Sequence, residues 1–308
     1  MFSVLSITAP IFIVILLGYV STWKNITTKA DVRALGVFVI KFALPALIFR
    51  SLSQRSLSEI VNFDYLLACA TGSLSVFLSM FAFARIVRKK NMAVSAMHAL
   101  GSSVSNSGFI GYPIAMLVLG PAVVVALALT MIIENIVMIP LALVLAECSG
   151  QEGKSIREVL LPIAKKMALN PLILAILLGG AVSLSGITLP VPISKPIDML
   201  AAASGVVALF AVGGVLVGLR VGGMVADIGR IVGTKLILHP TAIFLALFLV
   251  PRLDPDLRKA MVILASAPML SIYPLLGQAF GQEQVCAAAL MVATTFSFLT
   301  ISGLLLLL

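Results

Sequence analysis

Charge is what this chain most lacks. Only 11% of its 308 residues are Asp, Glu, Lys or Arg, against roughly 25% in soluble domains. With a mean hydropathy of +1.17, that scarcity excludes a water-facing surface of ordinary size. Acidic residues are the scarcer sign, 12 against 21 basic, for a formal net charge of +9. The excess does not mark a nucleic-acid binder, because the basic residues sit in short connections between apolar runs, where they orient a membrane protein. Cysteine is also rare. Cys69, Cys148 and Cys286 are far apart and lack ligand spacing, which excludes a disulfide scaffold and a thiolate metal centre and leaves apolar packing. No HExxH, GxSxG, Walker sequence or paired catalytic Asp occurs, so neither an enzyme nor a bound cofactor is expected. Strand-like alternation is missing as well, which excludes an outer-membrane barrel.

What the chain has is long apolar runs. Asn91 to Ile133 is 43 residues without Lys, Arg, Asp or Glu, and about 20 residues of helix cross a hydrocarbon core. With no basic segment or cleavage site at its start, Val4–Thr22 reads as a first span rather than a signal peptide. Ten spans are predicted: Val4–Thr22, Val32–Phe49, Asp64–Ile86, Met92–Leu119, Ala122–Ala146, Val159–Leu184, Ile197–Leu219, Ile231–Val250, Lys259–Phe280 and Val285–Leu308. The longest polar connection holds a capping box, Ser155 to Glu158, at the start of the sixth span. Odd-numbered loops, counting Lys235 at the edge of span 8, carry 14 basic residues and even-numbered loops six. Odd loops therefore face the cytoplasm and both termini face out.

One sequence offset recurs. IVILLGYVST at 13–22 resembles LAILLGGAVS at 174–183, SNSGFIGYP at 105–113 resembles SAPMLSIYP at 266–274, and Pro10 and Gly120 match Pro171 and Gly281. Each pair lies 161 residues apart, which is five spans. An odd number of spans turns the second copy upside down, and transporters built from inverted repeats bind substrate at interrupted helices near the midplane. Ser, Asn, Gly and Pro in the middle of an apolar run are tolerated only where protein or a watery cavity satisfies the backbone. Crossed breaks at Ser107–Pro113 and Pro268–Pro274 follow, with Pro113 and Pro274 in the first turn of fresh half-helices whose amides favour an anion.

The order of these features, with KFALPALIF at 41–49 in the second span, resembles the auxin efflux carrier family over essentially the whole chain. Its bacterial members include malate and malonate permeases, and the plant auxin transporters are relatives. The resemblance implies an all-α fold of two inverted five-helix repeats, shared with bile-acid symporters and sodium/proton antiporters. Residues 1–60 and 151–222 would form a scaffold that dimerises. Residues 61–150 and 223–308 would form a core that carries small organic anions by an elevator motion in a bacterial inner membrane. It also places Asn106, Pro113 and Pro274 at the crossover and Asn135 facing it. One departure is that SAPMLSIYP lacks Asn or Gln, so polar contact there falls to backbone and to Ser266 or Ser271. The candidate substrate residues are Ser105, Asn106, Ser107, Gly108, Gly111, Pro113, Asn135, Ser266, Pro268, Ser271, Tyr273, Pro274 and Lys41.

Ionisable groups at membrane depth are functional candidates because they are costly there. Glu134, mid-span in MIIENIV, reads as the carrier of a coupling proton, as a cation ligand, or as a neutral hydrogen-bonded carboxyl. Lys41 reads as a contact for substrate carboxylate, as a partner of Glu134, or as a snorkelling scaffold lysine. His98 and His239 read as structural, and Lys195 with Asp198 as an interfacial anchor. Gly214, Gly218 and Gly222 form a small-residue face for scaffold packing, possible as a dimer seam. The expected partners are an organic anion, a proton or sodium ion, and lipid; a cation/proton antiporter on the same fold is the alternative.

Overall fold

The computed structural model describes residues 2–54, 62–147, 168–218 and 224–307. The described residues are helical, without strands. Six helices of 25 residues each are long and apolar enough to cross a membrane. They are α2 (Lys29–Ser53), α3 (Phe63–Val87), α6 (Val123–Glu147), α8 (Val191–Val215), α9 (Val225–Leu249) and α12 (Glu283–Leu307). Two further apolar helices are α1 (Phe2–Trp23) and α7 (Pro171–Ser185). The remaining helices come as interrupted pairs: α4 (Met92–Ser103) with α5 (Tyr112–Leu119), and α10 (Pro255–Ser266) with α11 (Tyr273–Gln278). The predicted capping box at Ser155–Glu158, Cys148 and Gly222 lie outside the described residues.

Local chemistry sets the ends. The Thr28 side chain accepts from the Asp31 amide while the Asp31 carboxylate accepts from Thr28 N–H, a reciprocal capping box that starts α2. Asn62, Asn91, Asn170 and Asp254 cap α3, α4, α7 and α10 in the same sense. Gly120 and Gly281 both take left-handed backbone, at φ 70° and 67°, which only glycine adopts cheaply. They follow α5 and α11, helices opened by Tyr112 and Tyr273, so both matched pairs 161 residues apart take equivalent structural positions. The long helices agree: α2 and α8 begin 162 residues apart, as do α3 and α9.

Helices α1, α2 and α7 group around α8 or one another, with α8 packed on α1 and α2 and α7 packed on α2. The first of these contacts is backbone to backbone. A Cβ on Gly18 would strike the carbonyl of Phe210, and one on Gly213 would strike that of Ile15. Gly214 faces Thr22 and Val32 in the same seam. Gly214 thus takes part in the packing of α8 on α1 and α2, the scaffold packing expected of it. Gly218 lies beyond the end of α8, at φ 81°. Across from this group, α3 packs on α4 and α9, α4 on α6, and α12 on α9 and α11.

Candidate functional site

Both apolar runs are interrupted, but the first break falls at residues 104–106, just before the expected Ser107–Pro113, which is wound; the second falls at 267–272, within a residue or two of the expected Pro268–Pro274. After Ser103 the chain turns extended at Val104 (φ −115°, ψ 138°), and Asn106 caps the renewed winding by accepting from the Phe109 amide at 3.3 Å. That winding resumes as a π turn over Ser107–Gly111 that runs straight into α5. Pro113 therefore does not sit in the first turn of the half-helix, as expected. The wider turn before it accommodates the imino ring, which would clash in a tight helix. Pro274 does sit in a first turn, that of α11. Between α10 and α11 the chain is non-helical from residue 267 to 272.

The two breaks are joined. The Asn106 amide donates to the Pro268 carbonyl at 2.6 Å, and Asn106 Nδ2 donates to Ser271 Oγ at 2.7 Å. Beside the joint is a cavity of about 480 Å³, a volume in the range of small-ligand sites. Ser105, Asn106, Ser107, Gly108, Glu134, Asn135 and Ser271 line it, with Leu44, Phe109 and Leu270 as apolar walls. Asn135 is braced by its own helix through Nδ2 to the Met131 carbonyl, and its Oδ1 accepts from Asn170 at 3.4 Å. The amides of Ser107 and Gly108 have no hydrogen-bond acceptor among the described residues. They point out of the newly started winding, as first-turn amides do.

Glu134 anchors the wall. Its Oε1 accepts from Ser107 Oγ at 2.7 Å and from the Ser105 amide at 3.1 Å. On the other side of Ser105 is a residue that the sequence reading placed among the loop charges. Lys235 is fully buried on a π turn of α9, and its Nζ donates to Ser105 Oγ (2.6 Å), His239 Nδ1 (2.7 Å) and the Ala265 carbonyl (2.9 Å). Three acceptors match the three hydrogens of an ammonium. With Nδ1 accepting, the imidazole hydrogen is on Nε2, where it reaches Ser73 Oγ at 3.1 Å. Ser105 thus separates one carboxylate from one ammonium, and each charge is held by hydrogen bonds rather than left bare.

Other predicted residues are placed elsewhere. Lys41 is exposed on a π turn of α2 against Pro171 and Leu174, and it neither lines the cavity nor meets Glu134. A four-carbon stem let its ammonium leave the bundle instead of entering it. Ser266 Oγ turns back to the Ile263 carbonyl. Tyr273 is buried, donates to the Met97 carbonyl at 2.8 Å and lies against Gly101, which makes it a brace between α11 and α4. Gly111 is packed against Leu264, and Pro268 contributes its carbonyl to the joint. Pro113 lines a different cavity. Asp198 pairs with Arg50, not with Lys195. Two residues that sequence reasoning missed had visible signals: Asn170 precedes a helix-starting proline, and Lys235 and His239 share one helix face at a spacing of four in an apolar run. Among the described residues no cluster of His, Cys, Asp or Glu could hold a metal ion.

Residues 3–305 match the family described as Membrane transport protein. The chain is 31% identical over 306 residues to a Rhizobium meliloti protein named "Putative malonate transporter", covering 99% of this chain and 96% of that one. It is 30% identical over 245 residues to the Escherichia coli K12 "Uncharacterized transporter YfdV", covering 77% and 76%. A Methanothermobacter thermautotrophicus "Uncharacterized transporter" is 28% identical over 179 residues. With six membrane-length apolar helices among the described residues, the protein is a multi-pass membrane transporter of a small molecule, and the chain belongs to the auxin efflux carrier family.

Proposed function

We propose that the protein is a secondary transporter of small organic anions, with malonate-like carboxylates as the substrate class. The observation that carries this reading is the pair of amides at Ser107 and Gly108, which have no acceptor among the described residues and belong to residues lining a cavity together with Asn106 and Asn135. A winding of helix that begins there offers about half a unit of positive charge to a carboxylate without introducing a competing cation. Lys235 balances Glu134 across Ser105, so an anion entering the cavity does not face an uncompensated negative wall. The Rhizobium relative, named for malonate, supports the choice of substrate.

In this reading the chain has ten spans in two inverted five-helix units, the two interrupted pairs being the fourth of each. The paired glycines and helix starts support it. The α1, α2, α7 and α8 group is the scaffold, which also forms a homodimer. The other helices carry the joined breaks past it as an elevator, in a bacterial inner membrane with both termini outside. The cavity, lined by the start of α7, then opens to the cytoplasm. Glu134 takes a proton that enters with the anion.

Uptake into proteoliposomes tests this, with labelled mono- and dicarboxylates under imposed proton, sodium or voltage gradients. Saturable uptake of a dicarboxylate is expected, driven by an inward proton gradient. A second reading, a cation/proton antiporter, has one observation in its favour: a carboxyl group facing a cavity beside a buried lysine. Sodium or proton flux without any dependence on carboxylate would select it.

A further inference from the structure

A second cavity, of about 490 Å³, lies on the far side of the Ser107–Pro113 turn and shares no lining residue with the first. It is bounded by α1, α2 and α8 on one side and by α5 and α6 on the other. Its walls are apolar, with Leu47, Met116, Val124 and Leu209. Ser51, Gln54 and Ser204, whose hydroxyl donates to the Ala201 carbonyl, also line it, and two further polar groups matter most. Arg50 Nε meets Asp198 Oδ1 at 2.8 Å, which fixes the guanidinium plane. Its two terminal nitrogens have no partner among the described residues. Tyr112 is only 7% exposed, and its hydroxyl likewise has no partner among the described residues.

We propose that this cavity binds amphipathic monocarboxylic acids of about ten heavy atoms, with the carboxylate between Arg50 and the Tyr112 hydroxyl and the hydrocarbon body against Leu47, Met116 and Leu209. A guanidinium fork matches a carboxylate in geometry and keeps its charge at any working pH. Arg50, shared with Asp198, is the one charged residue lining the cavity, so the second carboxylate of a diacid would be left in apolar surroundings without a cationic partner, at high cost. The two cavities thus differ in their polar groups: the first offers amides, hydroxyls and side-chain amides without a cation, the second one guanidinium. Arg50 is on α2 and Tyr112 on α5, so a guest bridging them stabilises the present arrangement of these helices over any arrangement that separates them. Resting on the transport reading, the acid then acts as an inhibitor that does not compete with the transported anion.

Isothermal titration of the purified full chain with 3-phenylpropionate tests the site. The uncharged 3-phenylpropanamide and succinate serve as controls. The acid is expected to bind and both controls to bind at least roughly tenfold more weakly. Arg50→Gln should weaken the acid roughly 10- to 100-fold, the range of a charge-assisted hydrogen bond. Tyr112→Phe should weaken it by a smaller factor. Equal binding of acid and amide, or wild-type affinity in Arg50→Gln, overturns the proposal. The Arg50–Asp198 pair is exposed and contributes little to folding. Should Arg50→Gln nonetheless fail to fold, wild-type affinity in Tyr112→Phe overturns the proposal instead. Absence of uptake of every anion by wild-type proteoliposomes would sink the transport reading while leaving Arg50-dependent binding in place, so the two failures are distinguishable.

Discussion

Replacing Lys235 by Met keeps the length and apolar stem of the side chain and removes the ammonium. Three acceptors then lose their donor: Ser105 Oγ, His239 Nδ1 and the Ala265 carbonyl. Part of the loss can be made good locally. Ser105 Oγ and His239 Nδ1 already lie 3.3 and 3.2 Å from the Ala265 carbonyl. A shift of the imidazole hydrogen from Nε2 to Nδ1 would satisfy that carbonyl, and the Ser73 hydroxyl can then turn to donate to Nε2. Glu134 keeps its two donors and touches the cavity, so it is not stranded in a dry interior. Removing one partner of a fully buried charge pair costs about 3–5 kcal/mol; the repair places Lys235→Met near the low end, about 3 kcal/mol. Chemical unfolding in mixed micelles measures this directly. A double-mutant cycle with His239→Ala should show a coupling of about 0.5–3 kcal/mol, as for residues in one network. Uptake should fall at least tenfold, because an anion would then meet an uncompensated Glu134, and like-charge contact costs several kcal/mol. A Lys235→Met protein within about 0.5 kcal/mol of wild type that still transports normally would refute the account of the buried pair.

Further outcomes are expected. Transport should weaken as pH rises, because Glu134 must take up the proton that travels with the anion and fewer protons are then available; Glu134→Gln should flatten the pH profile of uptake, and an unchanged profile would remove Glu134 from coupling. Asn106→Ala removes both the cap on Phe109 and the tie to Ser271, and should raise the apparent substrate constant about tenfold, one to two hydrogen bonds' worth. Lys41→Ala should leave that constant unchanged, since the side chain is exposed away from the cavity; a raised constant in competition uptake would return Lys41 to the site. Gly213→Val would press a side chain into the Ile15 carbonyl and should destabilise by about 3 kcal/mol or more, read as a lowered unfolding midpoint with reduced yield of folded protein.

The interruptions were legible because lipid makes their composition so costly. A stretch such as SNSGFIGYP cannot remain in an apolar run unless its backbone finds partners, and those partners are now visible in Asn106, Pro268 and Ser271. Helix starts were read later than they occur at α2, α8 and α9, because Lys29, Lys195 and Arg230 were counted among the loop charges although each lies inside a helix. The same habit hid Lys235. Hydropathy sees a charge near the end of a span and assigns it to water, whereas Ser105 in the first break, His239 one turn along the same helix and the Ala265 carbonyl of α10 hold this one in the interior. Lys41 failed in the opposite direction: its depth along α2 was read correctly, but depth does not say which way a side chain faces. The roles of Tyr273 and Ser266 depended on contacts with Met97 and Ile263, which no periodicity reveals.

The short bond from the Asn106 amide to the Pro268 carbonyl has a mechanical meaning. It rivets two strands of chain more than 160 residues apart at their weakest points, and the Asn106–Ser271 link doubles the fastening. A guest gripped there cannot be handed from one half to the other by loosening either alone. In the elevator motion proposed above, the riveted pair travels as freight in one piece, so the grip a guest would feel at departure is the grip it would feel on arrival.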